Sequence, residues 1–255
     1  MDATLTARAP GSQRRATSSF YVVMAAVLAA VAFLGFAPTY WVPMIRGTLA
    51  VPPVVHIHAA AFFAWTLLLL VQAWLPKAGR LARHRALGMV GISLATAMTI
   101  LGVLVAIRQM QAAEAIGQRA AGETFAIVPL VSIAFFAVTF SLAAANVSRP
   151  EWHKRLIILA TASMLEAPIA RWFIVFLAPD GPPGPPPVAV TLMPAFTAYA
   201  LVLVAIGHDW RSRGRPHPAY VVGGATLVVL KLLQEPISTS EAWHAVAAWF
   251  LALAR

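Results

Sequence analysis

The chain has no cysteine and little charge: of its 255 residues, 19 are Lys or Arg and 9 are Asp or Glu. The first absence removes disulfides, thiolate metal sites and cysteine nucleophiles, and it leaves the redox compartment open. Any metal or haem must then be held by His, carboxylate or Met side chains. Three signatures of common soluble enzymes are also missing. There is no Gly-x-x-x-x-Gly-Lys phosphate loop, no H-E-x-x-H helix and no G-x-S-x-G elbow.

What fills the chain is apolar. It is 60% hydrophobic with a mean hydropathy of +0.77, too apolar for a soluble domain, so its natural solvent is lipid. A bilayer core of about 30 Å needs roughly 20 apolar residues at a rise of about 1.5 Å each. Seven stretches meet that length: Phe20–Trp41, Pro53–Trp74, Ala86–Ile107, Thr124–Ala145, Leu156–Ala178, Val188–Gly207 and Ala219–Pro236. The expected fold is an all-α polytopic membrane bundle. It comprises a cytoplasmic tail over residues 1–19, a seven-helix domain over 20–237 and a short outer interfacial helix over 238–255. Ser238 and Glu241 have the spacing of a capping box opening that last helix, Thr239–Ala254. The Arg14-Arg15 pair has the form of a twin-arginine signal, but about 22 apolar residues follow, too many for a cleaved leader, so the first helix is expected to be retained. Asp180–Pro187 is rich in Gly and Pro and reads as an extended outer loop.

A formal charge of +10 would suggest nucleic acid in a soluble protein. Here the basic residues instead recur at every second loop, as membrane topology requires. One side collects Arg8, Arg14, Arg15, the Lys77–Arg85 group, Arg149, Lys154, Arg155, Arg211, Arg213 and Arg215. The other has Arg46, Arg108, Arg119 and Arg255. This bias argues against nucleic acid and is expected to put the N-terminus in the cytoplasm and the C-terminus outside. Tryptophans near the inferred helix ends support the boundaries, while Trp65 stands alone at mid-depth.

Ionisable residues at membrane depth are costly, so function is sought there first. In the second span His58 shares a helical face with Trp65 and Gln72, because heptad spacing returns almost to the same angle. His56 lies about 200° away and cannot join His58 in one chelate. In the fifth span Glu166, with Arg171 beyond Pro168, reaches the depth of His58, and Glu235 and His244 approach the same level. His58, Gln72, Glu166 and Arg171 thus form a candidate outer polar cluster, the alternative being a neutralised pair that only joins helices. At the cytoplasmic side His84 and His153 each open a span and are candidate axial haem ligands or metal ligands; the plain alternative is that they solvate helix ends. Gly88, Gly91, Ala95, Thr99 and Gly102 give the third span a small-residue face suited to close packing.

His58 with Gln72, then His84-Arg85-Ala86-Leu87-Gly88 and His153-Lys154-Arg155-Leu156, resembles a group of uncharacterised bacterial multi-pass membrane proteins known only as domains of unknown function. More remotely, the layout is similar to the ascorbate-reducible di-haem cytochrome b family. That resemblance implies an outer histidine on the second helix, inner histidines on the third and fifth, and an outer one on the fourth. His58, His84 and His153 match, but Thr124–Ala145 contains no histidine. Only the inner pair carries over. The leading expectation is a bacterial inner-membrane protein whose polar core binds a redox cofactor or a metal, first of all one haem b between His84 and His153, with a redox or sensing role. The rivals are a proton-coupled or small-solute transporter lined by the outer cluster, and a non-catalytic accessory subunit of a membrane complex. Reporter fusions after Trp74, Ala145 and Trp210 should read cytoplasm, and fusions after Trp41, Ile107 and Ala178 the opposite side. Two inverted reporters would overturn the seven-span topology.

Overall fold

The computed structural model describes residues 10–178 and 184–253, all helix and connection with no strand among them. Arg8, Arg255, the end of the C-terminal helix at Ala254, residue 179 and the start of the Gly/Pro loop at 180–183 lie outside the described residues. The helices are α1 (Pro10–Gly35), α2 (Val42–Ile45), α3 (Pro53–Lys77), α4 (Leu81–Ala115), α5 (Arg119–Phe125), α6 (Ile127–Ala145), α7 (Pro150–Ser163), α8 (Glu166–Leu177), α9 (Leu192–Arg213), α10 (Pro218–Ser238) and α11 (Glu241–Ala252). A π-helical turn, Ala37–Trp41, joins α1 to α2, and a 3-10 turn, Val188–Thr191, leads into α9. Among the described residues seven segments are long and apolar enough to cross a membrane, and each contains one of the seven expected spans except at Ala178, which lies just past the fifth. The chain is a polytopic all-α membrane bundle. A helix can span lipid because all its backbone hydrogen bonds are made within the segment.

Several ends differ from expectation. The third span runs from Leu81 to Ala115 rather than Ala86 to Ile107, because a helix continues wherever its backbone bonds can, while hydropathy registers only the lipid-facing middle. The last helix is capped by Ser240, whose side chain accepts from the Trp243 N–H, rather than by Ser238, whose hydroxyl donates to the Glu235 carbonyl.

The fifth span is broken rather than merely kinked. Pro168 has no N–H for the Met164 carbonyl, and its ring crowds that oxygen. The chain therefore leaves α7 at Ser163, turns through Met164 and Leu165, and restarts as α8 at Glu166. The same proline fills the space beside Gly35 of α1, where a Cβ would collide with it. This is the close approach that small residues permit between membrane helices.

α1 packs against α3, α7 and α8, and the main core, including Met24, Leu28, Leu159, Ala195, Ala198 and Tyr220, lies around it. Trp65 closes a second core against Phe136, with its indole N–H donating to Thr161 Oγ1 at 3.1 Å. α11 lies on α4 and α5, where the Trp243 indole donates to the Glu123 carbonyl at 2.8 Å and His244 meets the Glu123 carboxylate at 2.9 Å. His244 therefore belongs to a surface network with Glu123 and Arg119, apart from Glu166.

The basic ends of α3, α4, α6, α7, α9 and α10 share one face of the bundle, called here the basic face. There Arg155 is fully buried and grips Asp209 of α9 in a two-pronged pair: Nε meets Oδ2 at 2.8 Å and Nη2 meets Oδ1. Its third donor reaches Glu151 at 2.6 Å. Oδ2 of Asp209 also accepts the His217 N–H at 3.2 Å, which ties the α9–α10 turn to α7.

Candidate functional site

At the basic face two helical hairpins, α3–α4 and α6–α7, deliver one histidine each by the same device. The α3–α4 turn reverses at Gly79, with φ +73°, a left-handed conformation that favours glycine. His84, in the first turn of α4, thereby returns alongside Gln72. The two make reciprocal bonds: Gln72 Nε2 donates to the His84 carbonyl at 3.1 Å, and His84 Nδ1 donates to the Gln72 carbonyl at 3.2 Å. That carbonyl is free for a local reason. Its helical partner would be the N–H of residue 76, which is a proline.

In the second hairpin His153, in the first turn of α7, directs Nδ1 at the Ala143 carbonyl, 2.9 Å away. Ala143 is among the last residues of α6, whose terminal carbonyls have no full helical partner. A carbonyl can only accept, so Nδ1 carries the hydrogen on both rings and the lone pair of each neutral imidazole sits on Nε2. Neither Nε2 is hydrogen-bonded to a described residue. The ring centres of His84 and His153 are 6.3 Å apart with planes at 90°.

Outward from this pair, a groove of about 280 Å³ opens between α4 and α6. Ala95, Thr96 and Thr99 line one wall, and Ala137, Ser141 and Ala144 the other. The small-residue face of the third span is therefore divided. Gly88 and Gly91 look toward Gln72 and Leu68 of α3, Gly102 admits Ile133 of α6, and Ala95 and Thr99 border the groove.

The outer cluster is arranged differently from the expected one. Gln72 is not part of it: 14 positions beyond His58, about 21 Å along a helix, it lies at the basic face beside His84. Glu166 is buried, but its partner is Lys231 of α10 rather than His58 or Arg171. Lys231 Nζ uses its three hydrogens on Glu166 Oε1 at 2.6 Å, Thr191 Oγ1 at 2.6 Å and Gln234 Oε1 at 2.9 Å. Glu166 Oε2 is buried and unpartnered. As the first residue of α8, the carboxylate also sits at the positive end of the helix dipole. Arg171 makes no ion pair among the described residues and instead lies over the Phe36 ring, 5.7 Å from its centre. His58 lies against Phe62, ring centres 4.2 Å apart and planes tilted by 31°, its Nδ1 buried without a partner among the described residues. Glu235 points outward, exposed, away from the inward row of Lys231, Gln234 and Ser238. His56 bonds the Tyr40 hydroxyl at 2.9 Å, apart from His58 as helical geometry required.

Among the described residues no group of three or more His, Asp or Glu side chains could hold a metal ion. A bare metal at the inner pair would thus have two protein ligands, short of the three or four that zinc sites use. A macrocycle supplying its own four nitrogens needs only two. Comparison of the chain with family models, curated proteins and solved structures found no match.

Replacing Lys231 with Met strands the Glu166 carboxylate in an apolar interior and should cost about 3–5 kcal/mol. The companion change Glu166→Gln in the same chain should recover most of that loss. Thermal unfolding in detergent reads both; a Lys231→Met protein as stable as the wild type would contradict the pairing.

Proposed function

We propose that this chain is a bacterial inner-membrane cytochrome that holds one haem b between His84 and His153, with the basic face in the cytoplasm. The observation that carries the reading is the pair of imidazoles. Each is fixed by a backbone carbonyl in the tautomer whose Nε2 lone pair is free to ligate. Two metal–nitrogen bonds of about 2 Å, plus roughly 1 Å from each Nε2 to its ring centre, set bis-imidazole ring centres about 6 Å apart, against 6.3 Å here.

Haem bound in this way supplies one-electron redox chemistry. The chain's own residues do the rest. Pro76 frees the carbonyl that orients His84, Gln72 ties that turn of α4 to α3, and the end of α6 orients His153. The small residues along α4 and α6 leave room for a flat, apolar-edged group entering from the lipid side. Arg83 and Arg85, exposed beside His84, are cations of the kind that pair with propionates.

A second reading, a proton-coupled transporter, rests on the buried Glu166 Oε2 at the break in the fifth span. It has less support, because Lys231 already spends all three of its hydrogens inside the cluster.

Expression with added haem precursor should give a purified protein carrying about one haem per chain with a low-spin Soret and α-band spectrum. His84→Ala and His153→Ala should each lose that spectrum while remaining membrane-inserted, and Glu166→Gln should keep it. Wild-type protein with no bound haem, or both histidine variants retaining it unchanged, would overturn the assignment.

A further inference from the structure

A groove of about 270 Å³ lies at the basic face between the start of α7 and the α9–α10 turn, lined by Trp152, Arg213, Arg215, Pro216, His217 and Pro218. We propose that it binds a phosphate group, of the kind presented by an anionic phospholipid headgroup.

The groove is built rather than incidental. α9 ends at Gly214, whose φ of +73° turns the chain back. The buried Asp209 then holds the His217 N–H, so the turn is clamped to the bundle by the same carboxylate that Arg155 grips. His217 is 5% exposed and caps α10, its Nδ1 accepting from the Ala219 N–H at 3.1 Å. An Nδ1 that accepts leaves the hydrogen on Nε2, so an N–H donor of an otherwise buried ring that lines the groove has no hydrogen-bond partner among the described residues. Burial and the nearby Arg155 and Arg213 hold this imidazole below the usual histidine range, which favours the neutral ring, and the bond from the Ala219 N–H sets its tautomer. Trp152 fixes the ring from the side, with centres 4.8 Å apart.

The charge around the groove favours an anion. Arg213 and Arg215 line the groove, and beside it the described residues Glu151 and Asp209 meet Lys154 and Arg155. Arg155 and Lys154 already engage both carboxylates. Arg213 and Arg215 are exposed and make no ion pair with a described residue, leaving two forked donors for phosphate oxygens. The level in the membrane suits a headgroup: Trp210 is exposed at the same end of the bundle, and Val221 and Val222 offer apolar surface just inside it.

The test uses the full chain in a neutral detergent, with its melting temperature followed as phosphatidylglycerol, phosphatidylcholine or inorganic phosphate is added. A lipid-headgroup site gives saturable stabilisation by phosphatidylglycerol and little by the other two. A soluble-phosphate site gives it with inorganic phosphate as well. Arg213→Gln with Arg215→Gln should weaken the saturation constant on the order of tenfold or more. His217→Asp is the sharper variant, since aspartate remains a good N-cap for α10 but withdraws the donor and adds a negative charge. Its basal melting temperature should fall, because the Trp152 contact is lost and a second carboxylate stands near Asp209, and the response to phosphatidylglycerol, read against that lowered baseline, should be lost. No response to either phosphate source, or an undiminished response in His217→Asp and in the double arginine variant, overturns the proposal.

Discussion

Lipid offers no hydrogen-bonding partner, and nearly every feature of this bundle follows from that. A polar atom that enters must be met by the protein, and the helix interior has no backbone donors or acceptors to spare. Partners come instead from places where the helical ladder is interrupted: a proline, a helix end or a break. Pro76 exposes the carbonyl that orients His84, the end of α6 supplies the one that orients His153, and Pro168 breaks the fifth span so that Glu166 starts a helix. The side chains that have chemistry to offer stand at these interruptions.

Two buried ion pairs divide the labour of holding the helices together. Arg155 with Asp209 joins α7 to α9 at the basic face, and Lys231 with Glu166 joins α10 to α8 in the other half. Such pairs recover their desolvation cost only when the remaining lone pairs and hydrogens are also satisfied. Lys231 meets this with Thr191 and Gln234, Arg155 with Glu151. The first pair clamps the α9–α10 turn and so shapes the groove beside His217. Glu166 Oε2 is the buried atom that the second pair leaves without a partner among the described residues, while the imidazoles of His84 and His153 each have one nitrogen committed and one left over.

Spans, helical class and the grouping of basic loops were legible from hydropathy and charge spacing, since lipid imposes length and composition directly. Pairings between helices were less so. His58 was the natural partner for Glu166 by depth and by the stripe it shares with Trp65, yet depth does not say which helices are neighbours. α1 packs against both α3 and α8, and Glu166 meets α10 instead. Lys231 was visible in the sequence as a charge inside a span, and the row Lys231, Gln234, Ser238 at helical spacing was the available signal. Gln72 was misplaced for a different reason: it was grouped with His58 by angle around the helix while lying about 21 Å away along it. The spacing from Gln72 to Pro76 would have marked the freed carbonyl, and with it the position where a donor was needed.

The central claim is that His84 and His153 face one another as a pair of Nε2 ligands with their planes crossed, and low-temperature electron paramagnetic resonance of the oxidised, purified protein tests it most directly. Two axial imidazoles make ferric haem low-spin, and perpendicular planes make its signal strongly anisotropic, with one large g-value and broad remaining features. That is the predicted spectrum. A high-spin ferric signal, or no haem iron in protein prepared with haem precursor supplied, would contradict it.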